Sequence, residues 1–467
     1  MNKEIKKNFI YNFFYQLLIL IIPLITVPYV SRILGARGVG IYSYTYSIVY
    51  YFVLVAMLGI NNYGNRLVAK VRDNRSILSK TFISLYLVQL IMSIIMILFY
   101  GVFVLLTNND YKIISILQGL YLVSTMFDIN WFFFGLEKFK ITVARNTIIK
   151  LLSLVCIFVF VNTSNDIWIY TCILSLSTLI SNLLLFPFLL KEIDFVKISF
   201  KDVKCHFKPL VLLFIPVLAV SLYKIMDKIM IGLLSNLNEV GYYEQAEKIV
   251  SIPMGLATAL GTVMLPRMSN LVSKGDSKTI KKYIKKSISF MMFLSFPICF
   301  GLIAISNNFV PLFLGKEFTK SVTLIYFLAP TITFISFANV IRTQYLIPNE
   351  KDITFIFSVV GGAIINFIIN IIFISKYMSI GACFGTIVAE LFVMLYQSLS
   401  VRNELPIKQY LLDIYPFLLK SIIMFLIVII IGCLNINIYL NLSLQIFVGT
   451  IIYILLNISF INNILRK

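Results

Sequence analysis

Charged side chains inside long apolar runs are the residues of this 467-residue chain best suited to bind or move something. Each costs roughly 2.5–3.5 kcal/mol at the centre of a membrane-spanning helix, so such residues face a partner, a cavity or a function. Lys150 lies about nine residues, roughly 13 Å by helical rise, into its run, and Glu390 is similarly central, so neither snorkels easily. Arg145, Arg342 and Lys420 stand nearer one surface, where a long side chain reaches headgroups. Lys224, Asp227 and Lys228 share one helix at i, i+3 and i+4, and Glu244, Glu247 and Lys248 open the next. A neutralising network between the two groups and a functional site are both compatible with that spacing. The chemistry open to the set is electrostatic: cations that bind an anion, and carboxylates at Asp128, Asp227 and Glu390 that take up H+ or Na+.

Other chemistry has few ligands to draw on. His206 is the sole histidine, and the six cysteines (Cys156, Cys172, Cys205, Cys299, Cys383, Cys433) are far apart and mostly within apolar runs. No C-x-x-C or H-x-x-x-H pair offers a metal site, and no G-x-x-x-x-G-K-[ST] loop offers a cradle for ATP. No cofactor is expected.

The elements that position these residues follow from composition. Hydrophobic residues make up 60% of the chain, charged residues 13%, and mean hydropathy is +0.93. No polar stretch approaches the roughly 50 residues of a soluble domain. Apolar runs near 20 residues predict about fourteen transmembrane helices, seven between Phe9 and Leu234 and seven between Ile249 and Phe460, the fourth spanning Ile113 to Phe134. The first follows Lys3, Lys6 and Lys7 and is too long for a signal core, so it reads as a span. Lys and Arg concentrate in alternate loops, which places both termini in the cytoplasm. The net charge of +20 then faces anionic membrane lipids rather than nucleic acid. Between the sixth and seventh spans, Ile193, Val196, Phe200, Val203 and Phe207 recur at helical spacing, predicting an amphipathic helix on the inner surface.

The chain also repeats itself. Leu20-Ile-Ile-Pro23-Leu-Ile-Thr-Val27 resembles Leu213-Phe-Ile-Pro216-Val-Leu-Ala-Val220, and Val39-Gly40-Ile-Tyr42 matches Val240-Gly241-Tyr-Tyr243 at an offset of 201. Six spans separate the copies, an even number, so the repeat is parallel, as in transporters whose halves rock about a shared substrate site. The expected architecture is an all-α polytopic membrane protein with two six-helix lobes in a parallel pseudo-twofold repeat plus two C-terminal helices. Its parts are an N-terminal lobe (1–190), a linker (191–208), a C-terminal lobe (209–400) and the extra helices (401–467). Pro23 and Pro216 are candidate gating bends.

Several segments in order resemble a known family. They are Pro28-Tyr-Val-Ser-Arg32-Ile-Leu-Gly35 with Gly38-Val-Gly40-Ile-Tyr42, Gly59-Ile-Asn-Asn-Tyr63-Gly64-Asn-Arg66, Asn130-Trp131-Phe132-Phe133-Phe134-Gly135-Leu-Glu137-Lys138, and Asp227-Lys-Ile-Met-Ile-Gly232 with Glu239-Val-Gly241-Tyr-Tyr243. Over about the first 400 residues the chain is similar to bacterial polysaccharide repeat-unit flippases of the multidrug, oligosaccharidyl-lipid and polysaccharide exporter superfamily. The resemblance implies two six-helix lobes around a cavity. It also implies transport, by alternating access, of an undecaprenyl-pyrophosphate-linked oligosaccharide across the bacterial plasma membrane for capsule, O-antigen or a similar polymer. Polysaccharide polymerase and other assembly enzymes become expected partners. On that reading Arg145 and Lys150, with Arg66, Lys224 and Lys228, are candidates to bind the pyrophosphate, and Asp128, Asp227 or Glu390 to couple an ion gradient. Among 26 Tyr and 40 Phe, some would stack on sugars. Alternatives are a drug or metabolite exporter of the same superfamily, a membrane enzyme of the same pathway, which would show a long catalytic loop or a D-x-D motif, and a scaffold that moves nothing.

Overall fold

In hydrocarbon a backbone must satisfy its own polar groups, and a long apolar segment does so as a helix. The structure, a computed structural model, describes residues 3–107 and 110–465, and the side chains at 3–20, 216, 223, 224 and 463–465 lie outside the description. The Pro216 bend and the Lys224 side chain therefore fall outside the described residues. Every regular element among the described residues is helical.

Two compact units divide the chain, Met1–Ile229 and Met230–Lys467. The helices of the first are α1 (Lys3–Met57), α2 (Ile60–Val71), α3 (Arg75–Leu106), α4 (Lys112–Thr125), α5 (Asn130–Gly135), α6 (Phe139–Phe160), α7 (Ile167–Leu183), α8 (Phe186–Leu189) and most of α9 (Phe200–Leu234). The second contains α10 (Leu237–Ser273), α11 (Ser277–Phe313), α12 (Lys320–Leu328), α13 (Thr331–Ile341), α14 (Asp352–Tyr377), α15 (Ser379–Ser400), α16 (Ile407–Gly432), α17 (Ile438–Leu456) and α18 (Ile458–Leu465).

Among the described residues twelve stretches are long and apolar enough to cross a membrane, or thirteen with the bent pair Lys316–Leu328 and Thr331–Leu346. About fourteen were expected from hydropathy. The first stretch, Ile21–Val71, joins the end of the first predicted span, Phe9–Val30, to the whole of the second, Ile41–Ile60, because the turn expected between them is reduced to one residue. Gly35 breaks α1 there with φ 65°, a left-handed conformation that glycine adopts without a Cβ clash. Large apolar side chains such as Leu98, Leu106, Leu152, Phe367 and Ile430 stand exposed, as they must on a surface solvated by lipid.

The segment expected as a surface helix differs. Residues 193–199 have no regular structure, and α9 begins at Phe200 and continues unbroken into the predicted span. Side-chain bonds explain the extended stretch: Arg75 grips Asp194 with two hydrogen bonds of 2.8 Å, and Ser79 accepts from the Asp194 amide at 2.9 Å. Ile193 is buried in the core of the unit, which a helix lying on its surface would not achieve. Further ion pairs join Arg72 to Glu137, Lys138 to Glu192 and Lys80 to Asp202, tying the same end of the unit together.

The resembling segments are packing devices. A Cβ on Gly64 of α2 would stand 2.5 Å from Trp131 Cε3 of α5, and one on Gly135 would stand 2.6 Å from Val68 Cβ, so α2 and α5 touch only because both positions lack a side chain. In the second unit Asn236 caps α10 by accepting from the Glu239 amide. The Glu239 carboxylate then accepts from Lys320 Nζ and Ser379 Oγ, both at 2.5 Å, and Tyr243 shares a hydrogen bond of 3.1 Å with Thr386 of α15.

Candidate functional site

The fourth predicted span is not one helix. α4 stops at Thr125 and α5 starts at Asn130, and in the break the carbonyls of Ser124 and Thr125 accept from the amides of Phe127 and Asp128 in a tight turn that leaves each a second lone pair. Side chains from neighbouring helices take them up. Gln89 of α3 donates to the carbonyls of Thr125 (2.6 Å) and Asp128 (2.9 Å), and Asn182 of α7 donates to that of Ser124 (3.0 Å). Gln89 is itself fixed by accepting from Trp131 Nε1 at 3.0 Å. Irregular backbone at membrane depth occurs where it lines a cavity, and the break places Asp128 at one.

Asp128 accepts from the amide nitrogen of Asn130 at 3.1 Å and from its side chain at 2.6 Å. Arg145 of α6 closes the cluster, donating to Asn130 Oδ1 (2.8 Å), Asn146 Oδ1 (2.7 Å) and the Ser181 carbonyl (2.6 Å). At 8% exposure Arg145 joins three helices through its guanidinium, and it also lines, with Lys140, a recess of about 430 Å³ between α6 and residues 184–188. The adjoining cavity, about 330 Å³, is lined by Tyr46, Tyr50, Tyr121, Asn62, Asp128 and Asn182 among others.

A second recess of about 380 Å³ runs between α2 and α9. Arg66 and Lys70, one helical turn apart, line it together with Leu67, Leu212, Leu213 and Tyr63. Both cations are exposed, and neither forms an ion pair among the described residues. His206 sets the spacing of the walls by sharing hydrogen bonds of 3.0 Å with Tyr63 of α2 through Nδ1 and with Ser84 of α3 through Nε2. Two fixed cations beside an apolar wall suit an anion that carries a hydrocarbon chain. The larger recess of the second unit, about 670 Å³ between α11, α16 and α17, has an apolar lining relieved by Gln445 and Thr450 and offers no cation.

Among the described side chains, Arg66 and Arg145 line different recesses. Lys150 follows Arg145 by five residues, which turns it about 140° around α6. Lys150 is half-buried, as is Lys228, while Asp227 is buried, and none of the three is without an interaction partner. Glu244 pairs along its own helix with Lys248 at 2.8 Å, and Lys420 donates to Asn457. Glu390 is buried on α15 in the second unit. Gln89, Asn130, Asn182 and Lys70 were not foreseen. A buried amide carries no periodic signal, whereas Lys70, four residues beyond Arg66, was readable as its partner.

A many-span helical bundle with a broken span at a polar cavity and a cationic recess beside an apolar wall has the build of a membrane transporter. Comparison with known proteins agrees. The polysaccharide biosynthesis protein family matches residues 5–272, and the MatE family matches residues 213–392. The chain belongs to the polysaccharide biosynthesis protein family. It is 23% identical over 405 residues to a protein of Escherichia coli (strain K12) named for O-antigen transport, covering 86% of this chain and 97% of that one. A Haloferax volcanii protein named as a flippase of low-salt glycan biosynthesis is 27% identical over 164 residues, 35% of this chain and 34% of its own. Among solved structures, the lipid II flippase MurJ in an inward closed conformation superposes with a TM-score of 0.77 at 19% identity, covering 98% of this chain and 99% of that one. An inward-facing multidrug resistance MATE family transporter of the MOP superfamily gives 0.59 at 11% identity, over 82% and 98% of the two chains. At these identities the structural likeness speaks for the fold. The relatives are transporters and flippases, not enzymes, and the chain is a multi-pass membrane protein of that transporting class.

Proposed function

We propose that the protein flips undecaprenyl-diphosphate-linked oligosaccharide repeat units from the inner to the outer leaflet of a bacterial plasma membrane, for O-antigen, capsule or a related polymer. The observation that carries the reading is the α2–α9 recess, where Arg66 and Lys70 stand one turn apart beside Leu67, Leu212 and Leu213. A diphosphate requires cations and donors in a setting that lipid cannot supply, and its polyprenyl chain requires an apolar surface beside them. In this reading the end of the first unit tied by the Arg72, Arg75, Lys80 and Lys138 ion pairs faces the cytoplasm, as do both termini. The substrate is loaded there, the halves of the molecule alternate in access, and a polymerase consumes the delivered unit. Asp128 is the predicted carboxylate that lines a cavity with polar neighbours, so it is the group we assign to H+ or Na+ coupling.

The test is transport of a fluorescent undecaprenyl-diphosphate oligosaccharide in proteoliposomes, read as the fraction of label that becomes accessible to a membrane-impermeant quencher. Native protein is expected to move the label, and Arg66→Ala with Lys70→Ala to slow it at unchanged folding. Export of organic cations in exchange for protons, with no movement of the lipid-linked sugar, would replace this reading by a drug exporter, in line with the multidrug resistance MATE family transporter of similar fold.

A further inference from the structure

On α1, Tyr42, Tyr46 and Tyr50 recur every four residues and so share one face of the helix. Their rings form a ladder. The Tyr42 and Tyr46 centroids are 6.0 Å apart with planes 9° from parallel, and Tyr50 continues at 6.2 Å from Tyr46. Tyr121 of α4 braces it, meeting Tyr46 edge-on at 5.2 Å and sharing a hydrogen bond of 3.1 Å with the Tyr42 hydroxyl. Tyr42 is thereby held in packing, while Tyr46 and Tyr50 are half-buried and line the cavity beside Asp128.

The lining is also polar. Asn61 and Asn62, just past the turn that opens α2, line the same cavity, and among the described residues neither their side-chain amides nor the Tyr50 hydroxyl has a hydrogen-bond partner. An aromatic face, free side-chain amides and a carboxylate lining one cavity make a surface of two chemistries at once. A flat apolar ligand would leave the amides unanswered, and a small ion held at Asp128 leaves the rings and amides for a second ligand. A pyranose ring meets both, because its C–H face is apolar and its rim is hydroxyls.

We propose that this cavity of the first unit is a saccharide subsite, in which Tyr46 and Tyr50 stack on the C–H face of one sugar and Asn61, Asn62 and Asp128 bond its hydroxyls. The proposal rests on the reading of the protein as a flippase of lipid-linked oligosaccharide, and it assigns recognition of the sugar to residues separate from the Arg66 and Lys70 recess. Selection among repeat units would then reside in this wall, and the diphosphate would be bound whatever sugar it carries.

The experiment uses the full chain in nanodiscs with two probes, the lipid-free oligosaccharide of the host's own repeat unit and undecaprenyl diphosphate bearing no sugar. Titrations compare native protein with Tyr50→Leu, which keeps apolar bulk at the wall, and with Asn62→Leu. Binding of the free oligosaccharide is expected to weaken by about tenfold or more in each, the equivalent of roughly 1.4 kcal/mol of lost stacking or hydrogen bonding, with undecaprenyl diphosphate bound as tightly as before. Oligosaccharide binding unchanged in both variants overturns the subsite. So does loss of tetraphenylphosphonium binding in place of sugar binding, which would make the cavity an organic-cation site. The two readings fail separately: native protein that transports lipid-linked oligosaccharide while both variants bind sugar normally sinks the subsite alone, and native protein that transports none sinks the flippase.

Discussion

Arg145→Lys separates two roles for a residue whose charge and depth marked it, in sequence, as a ligand for diphosphate. In the structure its guanidinium serves three acceptors on different elements, Asn130 Oδ1, Asn146 Oδ1 and the Ser181 carbonyl, all within 2.8 Å. A lysine ammonium is a single nitrogen and reaches one of them. Two charge-assisted hydrogen bonds are lost, at about 1.5 kcal/mol or more each, so the variant should be destabilised by about 3 kcal/mol. The assay is the midpoint of unfolding in detergent, followed by size-exclusion chromatography after heating, with undecaprenyl diphosphate binding measured on the folded fraction. A lowered midpoint and intact binding are expected. An unchanged midpoint with binding weakened tenfold would refute the reasoning and restore Arg145 as a substrate ligand.

Steric and electrostatic features elsewhere make further predictions. Gly64→Ala should cost about 1–3 kcal/mol by overpacking, since its Cβ would lie 2.5 Å from the Trp131 ring, and a double variant with Trp131→Leu should lose less than the sum of the singles in the same unfolding assay. Glu239→Gln should lower the unfolding midpoint, because it leaves Lys320 without its carboxylate partner, and Lys320→Met in the same background should recover part of the loss. Glu404 lies between α15 and α16, where Lys351 and the Tyr345 hydroxyl hold its carboxyl below the usual range. A depressed carboxylate contributes stability that is present above its unfolded pKa and lost as pH falls through the folded value. Native protein should therefore lose more stability on acidification across that window than Glu404→Gln, measured as denaturant midpoint against pH.

How much was legible in the sequence depended on whether a feature has a period. Hydropathy reveals where helices cross lipid, and the helical bundle followed from it directly. The cluster around Asp128 was partly legible, because a carboxylate in an apolar run stands out, but the break that presents it was not: residues 113–134 are uniformly apolar enough to continue as one helix. The turn that ends α4 is braced by tertiary bonds, with Gln89 and Asn182 of α3 and α7 adding second donors to carbonyls that the turn amides of Phe127 and Asp128 already serve. Gly35 likewise compresses a predicted loop into one residue, which hydropathy averaging cannot resolve. The 191–208 segment had true helical spacing, yet bonds from Arg75 and Ser79 to Asp194 keep its first half extended. The tyrosine ladder did have a period, four residues on α1, and was open to discovery from the sequence alone.

The internal repeat explains why the chemistry gathers in the first unit. The offset of 201 that carries Gly40 onto Gly241 carries position 128 onto 329, since 128 + 201 = 329, and the break between α4 and α5 recurs there as the bend between α12 and α13. The two breaks share one device and differ in another. In the second unit Thr331 and Thr333 donate to the carbonyls of Leu328 and Pro330 three residues back, as Ser124 and Thr125 do to those of Tyr121 and Leu122 in the first. In the first, Gln89 and Asn182 also reach in from other helices, which ties the break to the packing of α3 and α7, and Asp128 stands where the repeat offset puts Ala329 in the second unit. The tyrosines differ in the same way: the repeat pairs Tyr42 with Tyr243, but Tyr46 and Tyr50 map onto Glu247 and Ser251. The duplicated element is thus a bent helical scaffold, and the carboxylate, the amides and the aromatic wall are additions to one copy of it. On the proposed function recognition resides in the first unit, and substitutions at Tyr50 or Asp128 should for that reason have no functional counterpart at Ser251 or Ala329 when transport is compared side by side.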